Sequence, residues 1–90
     1  MTTTPTKEDL LKALIAAGRA HHEFQENFLD GVHHEGWAWW YSAYVLGRLG
    51  EFATPTQLTY WLAEVSEEKS WFKAASKHIL TKINESNGSD

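Results

Sequence analysis

Leu10, Leu14, Ala17, His21, Phe24 and Phe28 recur at steps of three and four along the chain. Only a helix places residues at that spacing on one stripe, so this run constrains the fold more than any other. Leu11, Ile15 and Leu29 widen the stripe. Thr6 followed three residues later by Asp9 fits a capping box, which sets the helix start near Lys7. Asp30-Gly31 sets its end, because glycine takes the left-handed cap conformation without steric cost. A first helix of roughly 22–25 residues follows.

The segment from about Gly36 to Leu49 predicts a second helix, with Gly50 as its cap. Its apolar residues go nearly all round, which places it centrally in a fold or against a partner chain. Thr54-Pro55-Thr56-Gln57 combines a cap, a proline suited to the first helical position and a glutamine that can reach back. The third helix then turns Leu58, Trp61, Leu62 and Val65 inward. Ser66-Glu67-Glu68 reads as a cap and an acidic first turn. A fourth helix carries Trp71 or Phe72, Ala75, Ile79 and Ile83 and fades at Asn84. The last two helices are short enough to be one bent helix. The expected class is all-α, a single small domain of three to four helices in a bundle or orthogonal array. Residues 1–5 are expected to be a flexible leader, 6–84 the helical domain and 85–90 a disordered tail.

Ninety residues leave room for one core only. Five tryptophans and four phenylalanines can supply it, since each buried aromatic removes about 150–250 Å² from water. Self-association is the other remedy for a small core. The absence of cysteine excludes disulfides, thiolate metal sites and a cysteine nucleophile. The start lacks the basic and apolar regions of a signal peptide, and no run approaches the ~18 apolar residues of a membrane span. A cytoplasmic protein with no membrane partner is expected. The net charge is −4, and the basic residues are scattered, so no nucleic-acid partner is expected. Lys69, Lys73 and Lys77 stand four apart beside Glu67 and Glu68, as on a solvated helix face.

Chemistry concentrates between His21 and Tyr44. Two His-His-Glu runs, His21-His22-Glu23 and His33-His34-Glu35, precede Gly36-Trp37-Ala38-Trp39-Trp40-Tyr41-Ser42-Ala43-Tyr44. His22 and Glu26 share a helix face. With His34 folding back past the helix end they form the candidate metal trio, His21 or Glu23 being alternates. Neither the Glu-x-x-His pairs of di-iron bundles nor a His-Glu-x-x-His zinc motif is present. The competing reading has His21 hydrogen-bonded at the core edge and the other histidines solvated. A histidine beside a carboxylate is also a general acid–base pair, as in His22 with Glu26 or His34 with Glu35. No nucleophile accompanies them, because Ser42 lies within a helix and not on a tight turn. No catalytic residue is assigned.

Trp37, Trp40, Tyr41 and Tyr44 line one strip, with Arg48 one turn further on. Aromatics with arginine anchor binding surfaces, and aromatics also fill cores. Trp40 and Tyr44 are read as core. Trp37, Trp39, Tyr41 and Arg48 are the candidate ligand or partner contacts. Tyr60 and His78 are read as surface residues.

From His22 to Tyr44 the chain resembles a little-characterised bacterial family of small helical proteins. The motif Trp37-Ala-Trp-Trp40-Tyr41-Ser-Ala-Tyr44 matches its Trp-x-x-Trp-Tyr-x-x-Tyr signature, and a histidine-bearing first helix precedes it. Such segments stand alone or attach to glyoxalase-like proteins. The resemblance covers about a quarter to a third of the chain. The family often has Asp where this chain has His34, which bears on any metal or acid role there. It implies an accessory role near small-molecule metabolism and carries no activity to transfer. Two functions are therefore expected. The first is a small interaction or accessory domain that self-associates or docks on a protein through its aromatic helix. The alternative is a small-molecule or metal-binding module built from His22, Glu26, His34, Trp37 and Tyr41.

Overall fold

The computed structural model describes residues 4–29, 36–65 and 70–87, and it is all-α. The chain forms α1 (Lys7–Phe28), α2 (Trp37–Leu49), α3 (Pro55–Glu64) and α4 (Trp71–Asn87). The capping box starts α1 as expected. Asp9 N–H donates to Thr6 Oγ1 at 3.0 Å, and Thr6 N–H donates to Asp9 Oδ2 at 3.1 Å. The bond from Thr6 N–H is the larger cause holding the Asp9 carboxyl below its ordinary value, and the Thr6 side chain adds to it. Thr54 and Gln57 make the same reciprocal pair at α3, with Pro55 in the first helical position.

One expected boundary differs, at the end of α4, and two others lie outside the described residues. Val65 closes α3 in an extended conformation, φ −78° and ψ 122°, so α3 and α4 are separate helices. The expected start of α4 at Ser66-Glu67-Glu68 lies outside the described residues, and the described helix begins at Trp71. It runs on through Asn84 to Asn87, into the segment expected to be a disordered tail. The expected stop of α1 at Asp30-Gly31 also lies outside the described residues, beyond the cap at Leu29.

The helices follow one another around a ring. Each packs on its two neighbours in the order α1, α2, α3, α4, and the diagonal pairs keep their Cα atoms more than 8 Å apart among the described residues. The centre is filled by side chains. Leu10 and Leu14 from α1, Val45 from α2, Leu58 and Leu62 from α3 and Ile79 from α4 are fully buried in one cluster. Each such side chain stabilises the fold by about 1.5–3 kcal/mol relative to exposure. Ala13, Ala17 and Ala75 let the backbones close around them.

Two serines are buried in this core. Ser42 donates to the Ala38 carbonyl at 2.9 Å and Ser76 to the Phe72 carbonyl at 2.7 Å. Bonding back within its own helix gives each hydroxyl proton an acceptor. Among the described residues no buried side-chain nitrogen or oxygen lacks a partner. No described helix is long and apolar enough to cross a membrane.

Candidate functional site: an aromatic seam between α1 and α2

Four-residue spacing stacks rings on each helix before the helices meet. Phe24 and Phe28 on α1 stack at 5.5 Å with planes 29° apart. Trp40 and Tyr44 on α2 stack at 5.7 Å and 14°. Docking α1 on α2 joins the two pairs through Phe24 and Trp40, at 5.8 Å and 29°. The result is a ladder of four rings running Phe28, Phe24, Trp40, Tyr44. Phe28, at its end, is 76% exposed. The apolar stripe of α1 thus leaves the core at Phe24 and comes to the surface.

His21 sits behind the ladder and is only 5% exposed. Its ring meets Trp40 at 5.1 Å and Tyr41 at 5.3 Å, both edge-on. A second cluster lies on the other side of Tyr41. Trp37 meets Tyr41 and Trp71 edge-on, each at 5.6 Å, and Tyr41 meets Trp71 at 6.0 Å. Trp71 in turn meets Phe72 at 5.5 Å. These rings bridge the diagonal between α2 and α4 that the backbones leave open. Burial raises the Tyr41 hydroxyl above its ordinary pKa, so it stays a neutral phenol at physiological pH.

The expected contact residues divide into two pairs. Trp37 and Tyr41 turn inward against Trp71. Trp39 is 65% exposed, and Arg48 is exposed in the last turn of α2. Trp40 and Tyr44, expected in the core, are half-buried in the ladder at its edge. In the metal trio, His22 and Glu26 are exposed on α1 and His34 lies outside the described residues. Among the described residues no three His, Asp or Glu side chains are placed to hold a metal ion. His33 and Glu35 are outside the described residues as well.

Three features were missed in the sequence. His78 is half-buried, and its Nε2 lies 2.9 Å from Glu64 Oε1 across α3 and α4. That bond holds the Glu64 carboxyl below its ordinary value. Next to it, Lys7, Lys73 and Lys77 border an open groove of about 500 Å³ between α1 and α4. A second hollow, of about 480 Å³, opens beside Gly18 between α1, Tyr41 and Phe72. A signal for this hollow was present, because a glycine inside the helix-forming run Ala16-Ala17-Gly18 costs about 1 kcal/mol and calls for a packing reason.

The chain matches no model of a known protein family, no curated protein and no solved structure. Among the described residues, fold and surface together define a small all-α domain of four helices with an aromatic seam and one outward-facing indole.

Proposed function

We propose that this chain is a small cytoplasmic interaction domain, related to the bacterial family it resembles, that self-associates through the outer face of α2. The observation that carries the reading is Trp39, a tryptophan left 65% exposed in a domain with little core to spare. Ala43 and Gly47 follow it at four-residue steps, and both are exposed. A β-carbon added at Gly47 would meet nothing within 4 Å. A bulky ring followed by two small residues is self-complementary. In a two-fold antiparallel pair, Trp39 of each copy lies over Ala43 and Gly47 of the other, which is an isologous contact. Phe28, at the end of the ladder, is a further exposed apolar ring.

Sedimentation equilibrium over a range of concentrations tests this. A dimer is expected, and Trp39→Lys should return a monomer with unchanged helix content and the melting temperature of the wild type diluted to its monomer. A wild-type chain that stays monomeric at the highest soluble concentration overturns the reading. So does a dimer indifferent to Trp39→Lys.

A further inference from the structure

Gly18 lies well inside α1, at the point where two rings from other helices converge. A β-carbon there would lie 2.8 Å from Cζ of Phe72 and 3.3 Å from the Tyr41 hydroxyl oxygen. Both approaches are closer than ordinary van der Waals packing allows, so the absence of a side chain lets α4 and α2 bring these rings onto α1. Phe72, Tyr41 and Ile15 wall the resulting hollow. Its volume of about 480 Å³ lies within the range of small-molecule sites, ~300–1,000 Å³.

The polar groups at this hollow carry donors. Arg19 and His22, both exposed, stand at its rim one turn apart on α1, and no carboxylate lines it. Arg19 has no ion-pair partner among the described residues, although Glu23 is four residues further along the helix. An unpaired guanidinium presents a planar fork that matches a carboxylate in two parallel hydrogen bonds. The chain as a whole carries a net charge of −4, so its long-range field repels anions and affinity for one has to come from local geometry.

We propose that this hollow binds a small aromatic carboxylate. The ring of the ligand lies against Phe72 and Tyr41, and its carboxylate takes the Arg19 fork with a ring N–H of His22 as a further donor. A single guanidinium suits a monoanion. Flat apolar walls suit a ring, and the phenol of Tyr41 offers a neutral donor at the inner end.

Titration calorimetry with phenylacetate, and with phenylacetamide as its neutral counterpart, tests the inference. Saturable one-to-one binding of phenylacetate is expected, with the amide weaker by about tenfold or more, as for loss of a charge-assisted bond. Arg19→Gln should weaken phenylacetate by a similar factor at unchanged melting temperature, since Arg19 is exposed. Gly18→Ala should weaken both compounds, because it displaces the Phe72 ring. Trp39→Lys should leave both unchanged, which separates the hollow from the outer face of α2. Equal affinity for acid and amide overturns the proposal, as does phenylacetate binding indifferent to Arg19→Gln. Absence of saturable binding by either compound overturns it too.

Discussion

Ser42 and Thr59 bring two hydroxyl oxygens to 3.1 Å across the contact between α2 and α3. Ser42 also lies 2.9 Å from the Ala38 carbonyl, and Thr59 lies 2.7 Å from the Pro55 carbonyl. Two hydroxyl protons thus serve three short contacts, and each hydroxyl can donate in either of two directions. Removing one hydroxyl leaves the other with its own helix carbonyl. Ser42→Ala should therefore cost only about 1 kcal/mol in urea unfolding. Ser42→Val, which adds volume at a fully buried site, should cost about 1–3 kcal/mol. An alanine variant hurt more than the valine variant would contradict this account.

Gly47 and Gly50 are three residues apart and should respond to alanine with opposite signs. Gly47 is helical with open space at its β-position within one copy, so in a Trp39→Lys background, where no second copy covers it, alanine gains helix propensity of about 0.5–1 kcal/mol. Gly50 closes α2 at φ 92° and ψ 169°, a region of backbone space that is essentially glycine's alone. Alanine there should cost about 1–3 kcal/mol. Thermal melts of the two variants check both signs at once.

The Glu64–His78 pair gives stability a defined pH dependence. The bond from His78 lowers the folded-state pKa of Glu64 below its ordinary value of 4.5. The unfolded chain therefore takes up this proton at higher pH than the folded one. The stabilisation is complete above the ordinary glutamate range and is lost as pH falls through the lowered folded value. Wild type should melt above Glu64→Ala near neutral pH, and the gap should begin to narrow as pH falls into the ordinary glutamate range. A gap that does not narrow at all as pH falls from neutral through the ordinary glutamate range would contradict the assignment.

Leu14 and Phe28 belong to the same sequence stripe but to different environments. Leu14 is fully buried, and Leu14→Ala should cost about 2–5 kcal/mol. Phe28 is 76% exposed, and Phe28→Ala should change stability by only about 0.5 kcal/mol. Chemical denaturation of the two variants measures the contrast.

That contrast shows where the sequence stops being legible. Periodicity and caps report local preference, so the start of α1 at Lys7, the Thr54–Gln57 box and the buried faces of α3 and α4 could be read directly. Periodicity says that Phe28 shares a face with Leu10, but not how far along that face the neighbouring helix reaches. For the same reason Trp37 and Tyr41 turned inward while Trp39 stayed out, although all three sit on one apolar helix. Contacts such as Ser42 with Thr59, Gly18 with Phe72 and Glu64 with His78 join residues 14 or more positions apart. Spacing carries no trace of them. They follow from the ring order of the helices, which is fixed only when all the apolar faces are buried together.

The edge-to-face contact of Trp37 with Trp71 has an optical consequence. Two indoles held 5.6 Å apart with planes 75° from each other are coupled chromophores in a fixed chiral arrangement. Their coupled transitions overlie the peptide bands of circular dichroism. Helix content taken from those bands alone will be distorted by a signal that no helix produces. The same signal is a gauge of tertiary order, because it joins two helices whose backbones do not approach and vanishes when that end of the domain opens, whether or not the helices themselves persist.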